Sequence, residues 1–377
     1  MAVLPPPNWR SLGPDHPRRV MAGSFFTRQA PPVRVCVKMI GVGRFLRSRF
    51  LKRLIQRDAG NEPRPQEAAN VQFSHRLVMA GALAFPASRI VKTMHRFLLH
   101  NDEIRDAGDR IVSPGQVGLL NGWGVFSTIR VYDGVMFQWE RHWARMLRDA
   151  ARLRVPFPEK PEWLEERLHR LIDANHAWNS TLRVVVVRNQ GGMWQGPAAT
   201  RPFDVVAFTD EVNQWGKTVR LGMVPNARHT ANEFAGVKYL SWSQNLTWYE
   251  RAHEQGYDEV ILLNERGEVS ECTSANVFIV QGENVWTPPL SSGCLPGITR
   301  AILIEELKAA REKTLLPADL ETADEVFITS TTRELMPVVF VEGLTIRGSR
   351  AATDRLQSAF RLYVESYVAP RKRAVLQ

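Results

Sequence analysis

Residues 267–280 read GEVSECTSANVFIV, following the turn-forming stretch NERGE and passing from polar text into an unbroken apolar run at 277–280. A short run of β-branched and aromatic residues entered from a turn reads as a strand buried on both faces. Glu271 stands at its polar entrance, where a carboxylate drawn toward a core needs a cation or a hydrogen-bond donor. Two readings are open there: a structural pair with an arginine, or a carboxylate held for chemistry.

Working outward, Lys238 lies 33 residues upstream in FAGVKYLSW, among apolar and small residues at an expected helix start. Desolvation there would make its amine nucleophilic, whereas a lone lysine in the same place also reads as a solvated surface charge. Downstream, LPGITRAILIEEL places Gly297, Ile298 and Thr299 at the expected N-terminus of a long helix, and FITSTTRELMPV places Ser330 and Thr331 just after a strand. Free backbone N–H groups and hydroxyls in such places suit an anion or ordinary capping.

The surrounding text reads as a mixed α/β (α+β) chain. Expected strands HRFLLHNDEI, GVFSTIRVYDGVMFQW, LRVVVVRN and FDVVAF alternate with expected helices ERHWARMLRDAARLRV and WLEERLHRLIDAN. A second strand-rich unit (VRLGMVP, DEVILLN, ANVFIVQ, NVWTPP, EVFITS, VVFVEGLTI) encloses two helical segments, SWSQNLTWYERAHEQG and TRAILIEELKAARE. The expected organisation is a small domain at 94–212, a linker at 213–216, a large domain at 217–366 and a basic tail at 367–377.

The net charge of +10 belongs to the front: residues 1–93 carry sixteen Lys/Arg against four Asp/Glu, leaving the rest of the chain at −2. This Pro- and Arg-rich leader reads as disordered, with Met79 or Met94 as an alternative start. Inside it, Ile40, Phe45, Leu46, Phe50, Leu54 and Ile55 fall at helical spacing among basic residues, a pattern that suits an anionic surface or nucleic acid. Apolar residues at 44% and charged residues at 23% fit a soluble globular enzyme, and no apolar run has the length of a membrane helix. Three cysteines (Cys36, Cys272, Cys294), odd in number and without paired spacing, argue against a disulfide framework, and a reducing, cytoplasmic setting is expected. The nine histidines show no metal spacing, and GLLNGWG lacks the strand and helix of a dinucleotide fingerprint.

The succession Lys238, SECTSANVF, TPPL…LPGITR and ADEVFITSTTRELMPV resembles the class IV pyridoxal-phosphate (PLP) aminotransferases, a family of branched-chain and D-amino-acid aminotransferases and aminodeoxychorismate lyases, over residues 94–360. The resemblance implies a two-domain fold type IV enzyme, a homodimer with PLP as cofactor, acting on an amino acid and a 2-oxo acid. It places the family's Schiff-base lysine on Lys238 and its pyridinium-nitrogen carboxylate on Glu271. The phosphate would fall to Ile298, Thr299, Ser330, Thr331 and an arginine matching Arg145, with Asn276 supporting the cofactor. Trp143, Met146, Leu147 and Ala150 are expected to form the buried stripe of that arginine's helix, with Arg145 on another face.

Substrate selection is expected at GWGVFSTIRVYDG and RNQGGMWQGP. Phe126, Thr128 and Arg130 alternate along one strand, share a face and are expected to line the pocket. FSTIR stands where branched-chain aminotransferases resemble FEGIR and the lyases FTTAR, while STTRELMPV and TPPLSSGCLPGITR are aminotransferase-like. The expected activity is transamination of branched-chain type, without nucleic acid or a membrane span. Its alternatives are a lyase releasing pyruvate and 4-aminobenzoate, and a membrane- or nucleic-acid-associated binding protein with a degenerate PLP site.

Overall fold

The computed structural model describes residues 94–193 and 199–372, all within one compact unit. The leader with its basic amphipathic pattern, Cys36, residues 194–198 of the RNQGGMWQGP stretch and residues 373–377 lie outside the described residues.

The first half builds a six-stranded antiparallel sheet. Its strands are β1 (Phe97–His100), β2 (Glu103–Asp106), β3 (Gly124–Tyr132), β4 (Val135–Met136), β5 (Ser180–Arg188) and β6 (Phe203–Glu211), in the order β2-β1-β6-β5-β3-β4. Three helices accompany it: α1 (Val117–Asn121), α2 (Trp139–Arg152) and α3 (Pro161–Ala174). Alternation in β3 and β5 sends Val125, Ile129, Leu182, Val184 and Val186 to one face, where Met146 and Ala150 of α2 and Leu164, Leu168 and Leu171 of α3 close a core.

The second half builds an eight-stranded mixed sheet. It comprises β7 (Val219–Arg228), β8 (Glu259–Asn264), β9 (Val269–Cys272), β10 (Asn276–Gln281), β11 (Asn284–Thr287), β12 (Arg311–Glu312), β13 (Glu325–Ser330) and β14 (Glu334–Val341), ordered β12-β11-β10-β13-β14-β7-β8-β9. Both faces of β10 are covered, which accounts for the unbroken VFIV run. Val277 and Ile279 join one core with Val326 and Ile328. Phe278 and Val280 join another on the opposite face with Phe327 and Phe360. Phe278 and Phe327 are register partners and stack at 4.9 Å.

The helices of this half are α4 (Ser243–Glu254), α5 (Ile298–Ala301), α6 (Pro317–Thr322) and α7 (Ala351–Val368). Two expectations are corrected here. Lys238 does not start a helix: α4 begins five residues later, at Ser243. TRAILIEELKAARE is not one long helix, because α5 passes into a single wide turn at Ile302–Glu306 and Lys308 adopts a left-handed conformation at φ 49°. Apolar spacing persists through Leu307, but the chain must leave the helix to place Arg311–Glu312 beside β11. The last helix, α7, runs through Val368, past the expected start of the tail.

Candidate active site

A cavity of about 440 Å³ opens where the segment before α4 crosses from the large sheet to the small one. Only residues 131–132 of β3 pair with β4, so its opening residues keep a free edge. Residues 238–240 occupy that edge. Phe126 N–H donates to the Lys238 carbonyl at 3.1 Å, Leu240 N–H donates to the Gly124 carbonyl at 2.9 Å, and Tyr239 bridges Val125. The lysine is thereby held as rigidly as a strand residue without belonging to one.

Lys238 Nζ sits 4.5 Å from the centre of the Phe126 ring and 5.9 Å from that of Trp242, and makes no ion pair among the described residues. Burial, then the positive charges of Arg145 and Arg183, draw its pKa from 10.5 down to about 7, against the opposing pull of Glu271 and Asp149. An amine so placed is substantially neutral, and therefore nucleophilic, near neutral pH.

Glu271 is buried at the end of β9 and lines the same cavity. Its partner is Arg228 of β7, whose Nε donates to Oε1 at 2.9 Å, while Leu295 N–H donates to Oε2 at 3.0 Å. Each carboxylate oxygen has two lone pairs, so both keep accepting capacity toward the cavity. Asn276 is buried and donates to the Leu295 carbonyl at 2.9 Å. This closeness demands Gly297, since a Cβ there would collide with the Asn276 side-chain oxygen.

Arg145 is buried, contrary to the expectation that it lies off the buried face of its helix, whereas Leu147 is 45% exposed. The helix buries two adjoining stripes: Trp139, Met146 and Ala150 pack on the sheet, and His142, Arg145 and Asp149 turn inward. Arg145 Nη2 donates to Ser127 Oγ at 2.8 Å, and its Nε is buried without a partner. Burial brings Arg145 down to about 10. The same burial, with Arg145 and Lys238 nearby, holds His142 well below the usual histidine range, so it is neutral, and its Nδ1 shares a hydrogen bond of 2.7 Å with Ser127 Oγ.

Ile298 and Thr299 begin α5 behind Gly297, and both line the cavity. Ser330 ends β13 and Thr331 follows in the turn to β14. This second polar loop is a hairpin turn. It too borders the cavity.

A family model described as amino-transferase class IV matches residues 124–341. The chain belongs to the class IV aminotransferases. It is 32% identical to the branched-chain-amino-acid aminotransferase of Escherichia coli over 63% of this chain and 83% of that protein. It is 29% identical to the D-alanine aminotransferase of Bacillus licheniformis over 72% and 98% respectively. The solved structure of the E. coli branched-chain enzyme superposes with a TM-score of 0.64 at 29% identity, covering 71% of this chain and 93% of that one.

Within this class IV aminotransferase, Phe126 and Thr128 line the cavity but Arg130 does not. Four residues along β3 from Phe126 is about 13 Å, which carries Arg130 beyond the opening. Its guanidinium instead donates to the Ser180 carbonyl at 3.0 Å and lies 4.3 Å over Tyr132. The arginine that lines the cavity from this sheet beside Phe126 is Arg183, register partner of Thr128 on β5, with its guanidinium 4.1 Å over the Phe126 ring. It makes no ion pair with a carboxylate among the described residues, and burial lowers its pKa. The sequence signal for it was present: a single charge inside the apolar run 182–187. Arg228 carried no comparable signal, being 43 residues from Glu271.

Proposed function

We propose that this chain is a PLP-dependent aminotransferase moving an amino group between a branched-chain amino acid and a 2-oxo acid, with Lys238 as its catalytic amine. The observation that carries the reading is the unpaired Lys238 amine, drawn to about 7 in a cavity that also holds Glu271 and Arg145.

The residues present fit the cofactor. The orphaned Arg145 Nε, the free N–H groups opening α5 and the hydroxyls of Thr299, Ser330 and Thr331 are donors suited to a phosphate. Glu271 would face the ring nitrogen and hold its proton, while Asn276 keeps the 295–297 turn in place. When bound, the cofactor supplies an aldehyde for the amino group and a ring that accepts carbanion electrons. Lys238 Nζ would take the proton from the substrate α-carbon and, within the same half-reaction, deliver it to the carbon that was the cofactor's aldehyde, the second half-reaction running this transfer in reverse. Phe126 and Trp242, edge to face at 6.0 Å, offer an apolar wall for a branched side chain. Arg183 beside them offers a guanidinium for a carboxylate. That combination suits an apolar donor and an acidic acceptor such as 2-oxoglutarate.

The family resemblance supports a homodimer and a small domain at 94–212 facing a large one at 217–366. A cytoplasmic setting fits the free, buried Cys272 and Cys294, and among the described residues no helix is long and apolar enough to cross a membrane.

The test is incubation of PLP-loaded protein with leucine, isoleucine or valine and 2-oxoglutarate. Glutamate formation is expected. Absence of glutamate with every amino donor, together with pyruvate release from aminodeoxychorismate, would replace the reading with the lyase.

A further inference from the structure

Three side chains of α2 grip the segment that carries Lys238. Arg152 Nη1 donates to the Ala235 carbonyl at 3.2 Å, and its Nη2 donates to the Glu233 carbonyl. Arg148 Nη2 donates to the Gly236 carbonyl at 3.3 Å. Between them Asp149, only 1% exposed, accepts the Lys238 backbone N–H on Oδ2 at 3.0 Å. Its other oxygen accepts Arg148 Nε at 3.0 Å.

A fully buried carboxylate is costly unless its partners hold it in place, and among the described residues Asp149 is held by the Lys238 N–H and by Arg148, which donates through both Nε and Nη2. Its charge also falls among cations. Around the Lys238 amine, α2 contributes Arg145 and neutral His142, β5 contributes Arg183, and β9 contributes Glu271, itself paired to Arg228 of β7, while Arg148 pairs with Asp149. With Glu271 turned to its own arginine, Asp149 is the carboxylate anchored directly to the lysine's backbone.

We propose that Asp149 is a positioning residue for Lys238: its buried carboxylate fixes the backbone from which the amine rises and balances the guanidiniums of Arg145 and Arg183 around it. Arg148 tunes that balance by sharing the carboxylate. The inference rests on Lys238 being the catalytic amine. The electrostatic causes of the lysine's lowered pKa agree, since Asp149 opposes Arg145 and Arg183 there.

Asp149→Asn separates charge from geometry, because the amide oxygen still accepts the Lys238 N–H. The experiment follows acetylation of Lys238 by acetic anhydride against pH in the cofactor-free full chain, read by peptide mass spectrometry. Wild-type labelling should rise with a midpoint near pH 7. In Asp149→Asn the midpoint should fall, so that Lys238 labels about threefold faster or more at pH 6, the factor for a half-unit change. Arg148→Ala, at an exposed side chain, should move it the other way and label about threefold slower at pH 6. Superimposable wild-type and Asp149→Asn profiles would overturn the proposal. Should Asp149→Asn fail to fold, a wild-type profile in Arg148→Ala would overturn it equally. Failure of the underlying reading looks different: borohydride reduction of the PLP-loaded wild type would then leave Lys238 unmodified.

Discussion

Replacing Lys238 with methionine should stabilise the cofactor-free protein, and only over a defined pH range. The folded protein lowers the lysine's pKa from 10.5 to about 7, so between those values the unfolded chain binds a proton that the folded chain does not. Stability of the wild type therefore rises with pH across this window. Below about pH 7 both states are protonated and the full cost of the buried amine is present; above 10.5 both are neutral and it vanishes. At about 1.4 kcal/mol per pH unit the cost is at most about 5 kcal/mol, which partial exposure of the residue screens to about 2–3 kcal/mol. The aromatic contacts to Phe126 and Trp242 return about 0.5–1 kcal/mol of it in the charged form. Methionine keeps the apolar packing and removes the charge. Urea unfolding of both proteins at pH 6.5, 8 and 9.5 should show the variant about 2 kcal/mol more stable at pH 6.5, with the gap closing as pH rises. A variant equally or less stable at pH 6.5, or a gap independent of pH, would refute a desolvated amine at this position.

Other substitutions probe the rest of the cavity. Gly297→Ala should drive the new Cβ into Asn276, weakening PLP affinity about tenfold or more, as fluorescence titration of the cofactor-free protein would show. Arg183→Ala should raise the KM for 2-oxoglutarate about 10- to 100-fold, the worth of a charged hydrogen bond, while changing the KM for leucine little; equal effects on both would remove Arg183 from the carboxylate's binding. Glu271→Gln should lower kcat about 10²- to 10³-fold through loss of the charge facing the ring, and a kcat within twofold of wild type would assign Glu271 to the structural pair with Arg228 alone.

The fold was legible where one face or both faces of an element are determined by local pattern. The VFIV run at 277–280, the strand β3 and the extent of α2 follow from local pattern and appear at the expected places, although the buried stripe of α2 falls on Arg145 and Asp149 instead of Leu147. Legibility failed where a distant partner decides the outcome. The apolar spacing of TRAILIEEL continues past the point at which pairing with β11 ends the helix. Lys238 looked like a helix start because its bond to the free edge of β3 involves backbone groups more than a hundred residues away. Arg130 and Arg183 could be exchanged only once strand length was measured against the cavity. Asp149 was hidden inside a helix text that reads as amphipathic, because its partners come from the segment that carries the lysine.

The proposed chemistry depends on one atom, Lys238 Nζ. Borohydride reduction of the PLP-loaded full-length protein, followed by proteolysis and mass mapping, should place a phosphopyridoxyl group on Lys238. The same adduct on another lysine, with Lys238 intact, would contradict the account.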